Sequence, residues 1–247
     1  MKLERIRILG VPVDAVNFHQ ALSWVDQAVA EKGHKRIIAV NPEKIMAARK
    51  DPALFEFLEQ SDLLIPDGIG VVKAARILRL AKMERVAGSD LMPEICRLAA
   101  EKGYKIFIYG SKEEVNAKAR RILQKRYQRL NIVGWSHGYV PENQMETLVD
   151  RINRSGAQIL FIALGSPGQE KWLLKYGPRL ETVRVSQGIG GTLDTIAGNV
   201  RRAPLVFRKM NLEWFYRLIT NPKRAKRQAV LPLFALLVLR QLLISRA

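Results

Sequence analysis

Among the side chains of this sequence that could do chemistry, Asp67 has the most telling surroundings. It follows Leu63-Leu64-Ile65-Pro66 and precedes Gly68-Ile69-Gly70, and from Ile69 to Leu80 the apolar residues have helical spacing. Three apolar residues read as a buried strand, Pro66 ends it, and Asp67-Gly68 turns the chain into a helix. A carboxylate is thereby placed at the C-terminal end of a strand, the rim where ligands bind in open α/β sheets. Two roles fit that place: a group that takes part in chemistry, or an N-cap of the next helix, worth ~1 kcal/mol. Asn41 ends the strand-like run Arg36-Ile37-Ile38-Ala39-Val40 and opens Pro42-Glu43-Lys44, with the same pair of readings. Arg85 lies in the loop Met83-Glu84-Arg85-Val86-Ala87, where it can reach a phosphate or carboxylate or simply stay solvated. Ser89 or Asp90 can cap the helix that follows.

Missing patterns narrow the reaction. The sequence holds no Asp-x-Asp pair, and His19, His34 and His137 lack metal-ligand spacing, so no tight divalent-metal site is encoded locally. Neither a G-x-x-x-x-G-K-[ST] loop nor a G-x-S-x-G elbow occurs, which argues against a P-loop ATPase and an α/β-hydrolase. Asp67, the amides Asn41 and Gln169, several glycines and many Arg/Lys remain. That set suits a transferase whose leaving group is a phosphate, stabilised by cations and backbone dipoles, with no cofactor required.

The elements that must hold these groups read as an alternation. Short apolar runs at Ile6–Leu9, Arg36–Val40, Leu63–Ile65, Tyr104–Tyr109, Asn131–Trp135, Gln158–Leu164 and Val183–Gln187 are separated by amphipathic stretches. Strand, Gly/Ser turn, helix, strand is the βαβ signature of a parallel sheet. The fold class expected is α/β, a Rossmann-like parallel-sheet core with helices on both faces. No G-x-G-x-x-G follows the first strand, so a dinucleotide fingerprint is absent. Ser166-Pro167-Gly168 can offer backbone N–H groups at a helix start, and Gly188-Ile189-Gly190-Gly191 can admit a ligand close to the backbone or serve helix-to-sheet packing.

Charge divides the chain at about residue 200. Residues 201–247 carry eleven Lys/Arg and one acid, Glu213, whereas residues 1–200 carry thirty bases and twenty-two acids, so +10 of the net +18 sits in the last fifth. The expected organisation is a core of residues 1–200 and a basic helical appendage of residues 201–247. Leu205, Phe207, Met210, Trp214 and Leu218 form one apolar stripe among those bases. The run Val230–Leu239 is too short for the ~20 residues of a membrane span. It reads as an interfacial helix on an anionic membrane surface, or as a terminal helix packed on the core. The single Cys96, in a helical pattern, reads as a buried inert thiol in a cytoplasmic chain, and the N-terminus has no signal-peptide core.

Seven blocks in order, Asn41–Lys44, Pro66–Gly70, Glu84–Asp90, Gly165–Trp172, Gly190–Gly198, Arg201–Pro204 and Leu212–Leu218, resemble the WecG/TagA/CpsF family of bacterial glycosyltransferases over essentially the whole chain. The resemblance implies inverting, metal-independent transfer of an N-acetylhexosamine, typically from UDP-N-acetylmannosamine, to N-acetylglucosamine on undecaprenyl diphosphate, for teichoic acid or other surface polysaccharide. It implies Asp67 as general base, with Arg85, Gln169 and Asn41 beside it. Tyr139 falls near the uracil, Gly190, Gly191, Asp194 and Lys171 in the nucleotide-sugar region, and Arg217, Arg224 and Arg227 on an appendage that closes over a diphosphate. Val40 stands where many members have Thr. The partners implied are a UDP-sugar, a lipid-linked acceptor and the inner face of the cell membrane, with a homo-oligomer compatible. Two rivals are a basic nucleic-acid-binding α/β protein and a nucleotide-binding protein without catalysis. The tail's wide apolar stripe and the absence of nucleic-acid motifs weigh against the first, and Asp67, Arg85 and Gln169 against the second.

Overall fold

A computed structural model describes residues 3–204, 206–207, 210, 212–220 and 228–244. The chain opens with a hairpin, β1 (Arg5–Ile8) and β2 (Val11–Asp14), where the sequence suggests one strand and a turn. Leu9 and Gly10 both have positive φ, as a two-residue hairpin turn requires. The buried Asp14 carboxylate accepts from the Arg5 guanidinium at 2.7 and 3.0 Å and from the Leu64 N–H at 2.7 Å, fastening the hairpin to the main sheet.

That sheet has six parallel strands in the order β4-β3-β8-β7-β5-β6. They are β3 (Lys35–Val40), β4 (Leu63–Pro66), β5 (Lys105–Gly110), β6 (Asn131–Ser136), β7 (Ile159–Ala163) and β8 (Val185–Gly188). Strands covered on both faces read as unbroken apolar runs, because successive side chains point to opposite sides. Thus Ile37, Ile65, Ile106, Ile108 and Phe161 face one layer, packed with α1 (Phe18–Ala30), α5 (Gly88–Lys102) and α6 (Glu113–Arg126). Ile38, Leu64, Phe107, Tyr109 and Ile162 face the other. Its helices are α2 (Pro42–Ala48), α3 (Pro52–Glu59), α4 (Ile69–Ile77), α7 (Met145–Arg154) and α8 (Gly168–Tyr176). The α/β class and the helices on both faces agree with the sequence. Val40 is fully buried in this second layer.

The short helix α9 (Thr192–Ile196) follows β8, and the described residues beyond 200 include the helices α10 (Glu213–Thr220) and α11 (Val230–Ile244). Helix α11 lies against α2 and α4, with Phe234 and Val238 buried, and Gln241 Oε1 accepts from the Leu9 N–H at 2.9 Å. Leu233, Leu236, Leu239, Leu243 and Ile244 remain exposed on its other side. The stretch therefore packs as a terminal helix, one of its two sequence readings, and presents an apolar face on the side away from the core. No helix among the described residues is long and apolar enough to cross a membrane.

Candidate active site

The C-terminal ends of the strands form one rim. At its β4 end the Asp67 N–H donates to the Val40 carbonyl at 2.8 Å, carrying the β3–β4 pairing one residue past Pro66 and fixing Asp67 to the sheet. The capping role for Asp67 does not survive: the N-cap of α4 is Gly68, with φ of 107° and no side-chain cap bond. A Cβ on Gly70 would come within 2.7 Å of Pro42 Cγ, so small residues let this turn press against Asn41-Pro42. Asn41 does cap its helix, its Oδ1 accepting from the Lys44 N–H at 2.8 Å, which leaves its amide N–H groups outside that bond.

Arg85 is held beside this pair, since the Val86 N–H donates to the Pro66 carbonyl at 2.9 Å. Its guanidinium, about one-fifth exposed, donates to Glu213 Oε2 at 3.1 Å and to Asp90 Oδ2 at 3.3 Å. The predicted cap by Ser89 or Asp90 is not made. Ala87 is the N-cap of α5 and makes no side-chain cap bond, because the Asp90 carboxylate is turned toward the cations Arg85 and Arg202 instead.

Gln169 lies at the next turn, where the structure buries it. Its Oε1 accepts from the Gly190 N–H at 3.0 Å, and its amide covers Gly188, where an added Cβ would lie 2.4 Å from Nε2. Gln169 therefore braces the glycine-rich turn after β8. Beside it Lys44 and Glu170, both buried, form an ion pair that ties the first turn of α2 to that of α8. Residues 44 and 170 lie within matching blocks of the sequence, yet their pairing has no local signal. Glu170 Oε2 is buried without a hydrogen-bond partner among the described residues, an acceptor that a ligand N–H or a water would satisfy.

Tyr139 sits at the opposite end of the rim, after β6, and is 70% exposed. Its N–H donates to His137 Nδ1 at 3.1 Å, and the Gly138 N–H to the Ser111 carbonyl at 2.8 Å. Five strand intervals of ~4.8 Å separate the β4 and β6 ends, about 24 Å along the rim. A ligand reaching both Asp67 and Tyr139 must be extended. Between them, Gly190 has φ of 51° and Gly191 is the N-cap of α9, in whose first turn Asp194 lies. Asp194 also accepts through its carbonyl from the Asn199 and Val200 N–H groups. Ser111, a turn residue with no predicted site role, has φ of 60°, a conformation non-glycine residues adopt mainly where tertiary contacts impose it. Lys171 is exposed on α8. Arg217 belongs to α10, whereas Arg224 and Arg227 lie outside the described residues.

No three His, Cys, Asp or Glu side chains among the described residues gather to hold a metal. A groove of about 820 Å³ runs along the outer edge of β6, between α6 and α7, lined by Arg120, Trp135 and Arg151 among others. None of the predicted site residues lines it. It follows the open margin of the sheet, and its lining by Ser136, His137 and Val140 brings it next to Tyr139 at the β6 end of the rim.

The sequence pattern of the family described as "Glycosyl transferase WecG/TagA/CpsF family" matches residues 6–247. A protein of Bacillus subtilis (strain 168), named N-acetylglucosaminyldiphosphoundecaprenol N-acetyl-beta-D-mannosaminyltransferase, is 40% identical over 218 residues, covering 88% of this chain and 82% of its own. Proteins of the same name from Staphylococcus aureus strains MRSA252 and NCTC 8325 are each 33% identical over 232 residues, 93% of this chain and 90% of theirs.

Proposed function

The chain belongs to the WecG/TagA/CpsF family of glycosyl transferases, and from that premise we propose that it moves N-acetylmannosamine from a UDP-sugar onto N-acetylglucosaminyl-diphospho-undecaprenol. The name shared by relatives that match nearly the whole chain is the observation that carries this reading. The rim supports it, since it carries Asp67, Asn41, Arg85 and the Gln169-braced glycine turn at the C-terminal ends of neighbouring strands.

In the reaction, the acceptor hydroxyl oxygen attacks the anomeric carbon from the face opposite the leaving group. The new C–O bond forms as the bond to the UDP β-phosphate oxygen breaks, which inverts the anomeric centre. The hydroxyl proton passes to the Asp67 carboxylate. The hydroxyl acidifies as the new bond forms, so the proton moves to the carboxylate late in the step. Charge on the departing diphosphate is met by arginines and backbone N–H groups in place of a metal. Arg85, Lys171 and the N–H groups of Gly191 and Asp194 supply these on the core, next to Gly190, whose own N–H is held by Gln169; Tyr139 takes the base of the nucleotide, and Arg217, Arg224 and Arg227 come from residues 201–247, which close over residues 1–200.

An acceptor on a C55 lipid stays in the bilayer, so the enzyme must work at its surface. Helix α11, 15 residues and about 22 Å long, is shorter than the ~30 Å hydrocarbon core. Its exposed leucines would lie in the interface of the inner leaflet with the tail's bases on anionic headgroups. Flotation with anionic liposomes tests this. Stable self-association without flotation would instead assign the apolar face to a second copy.

The reaction is tested with purified protein, a short-chain lipid-linked N-acetylglucosamine diphosphate and a panel of UDP-sugars, with product mass as readout. Transfer of N-acetylmannosamine is expected, insensitive to EDTA and lost in Asp67→Asn. Truncation after about residue 200 should abolish transfer while leaving a folded core. Full activity of either variant would overturn the role assigned to it.

A further inference from the structure

Residues 201–247 contain a single acid, Glu213, among eleven bases. On charge alone that acid would be expected in solvent among neighbouring cations. Instead its side chain is only 8% exposed and reaches a residue of the core: Glu213 Oε2 accepts from Arg85 at 3.1 Å. Burying a carboxylate is costly unless a cation and hydrogen bonds compensate it, so this contact fixes where α10 can lie. A second tie of opposite polarity runs beside it, from Arg202 to Asp90, and Asp90 also holds Arg85 at 3.3 Å. The four groups form one alternating chain, Glu213, Arg85, Asp90, Arg202, that crosses twice between the C-terminal segment and the core.

We propose that Glu213 is a positioning residue for Arg85, pinning α10 over the rim and orienting the guanidinium toward the leaving diphosphate. A guanidinium has five N–H donors in a rigid fork. Glu213 and Asp90 take two of them among the described residues, and the planar fork then directs the others. Arg85 is linked through Val86 to the strand end that carries Asp67, so the arrival of α10 is felt within the site. This inference rests on the glycosyl-transfer reading for its kinetic consequence but not for the contact itself.

Two measurements on the full chain separate these parts. The first is hydrogen exchange of the peptide spanning residues 212–220 in the unaltered chain, Glu213→Gln, Arg85→Ala and the double variant. Each single change should speed exchange there about tenfold or more, and the double variant should be no faster than Arg85→Ala alone, since both changes remove the Arg85–Glu213 contact. The second is transfer kinetics: Glu213→Gln should lower kcat at least tenfold while KM for the UDP-sugar changes less than threefold, which loss of folded protein alone would not produce once rates are referred to folded enzyme. Unchanged exchange in the single variants would overturn the pin. Faster exchange with unchanged kcat would overturn the orientation of Arg85. If the unaltered chain transfers no sugar while the exchange cycle remains coupled, the pin stands and the glycosyl-transfer reading fails.

Discussion

Lys44 and Glu170 are 126 residues apart in sequence, and their side chains are 7% and 3% exposed where they meet. Removing one member of such a pair strands the other charge in a low-dielectric site, at a cost of about 3–5 kcal/mol, whereas replacing both with apolar side chains of similar volume is often nearly neutral. Lys44→Met and Glu170→Leu should therefore each destabilise by about 3–5 kcal/mol. For a chain of this size that is a fall in Tm of roughly 6–20 °C. The double variant should be less destabilised than either single one, giving a coupling energy of at least ~2 kcal/mol. Urea unfolding followed by circular dichroism provides all four free energies. The double variant should nevertheless transfer sugar poorly, because Glu170 Oε1 lies 3.4 Å from the Gln169 amide that braces Gly188 and Gly190. Single-variant costs below ~1 kcal/mol that simply add would refute the view that this pair joins α2 to α8.

Gly188→Ala would force Gln169 from its place, since the new Cβ meets its amide at 2.4 Å; a loss of about 1–3 kcal/mol in stability is expected, with a larger proportional loss in transfer than in folded fraction, measured by unfolding and product formation. Burial, reinforced by the nearby Arg36 charge, lowers the pKa of His34 from 6.5 to about 4, against smaller opposing effects of Asp62 and the Gly177 backbone. The folded state then resists a proton that the unfolded chain accepts, so stability falls as pH drops through the window from 6.5 to 4; between pH 7 and pH 5 His34 should account for about 2 kcal/mol, missing from the pH profile of His34→Gln. Cys96 is fully buried, and burial pushes its thiol pKa up, so an aromatic disulfide reagent should leave it unmodified in the folded protein and react promptly in denaturant.

Signals that act within a few residues were legible in the sequence. The strands were, because burial on both faces leaves unbroken apolar runs such as Ile159–Ala163. So were the place of Asp67, marked by Pro66 and Gly68, and the Asn41 cap, whose donor lies three residues on. Even so, local chemistry misjudged Asp90: its carboxylate was free to cap α5, yet Arg85 and Arg202, brought near by the fold, offered full positive charges instead of a backbone N–H. Contacts between distant segments had no such trace. That β8 inserts between β3 and β7, that Gln169 lies across Gly188, that Lys44 finds Glu170 and that Glu213 finds Arg85 all depend on how the crossovers stack the helices. Residue type and spacing determine which groups stand at strand ends, because turns and periodicity are short-range properties of the chain. Which of those groups meet, and which are spent holding one another in place, is decided only when burial of both sheet faces brings distant helices together.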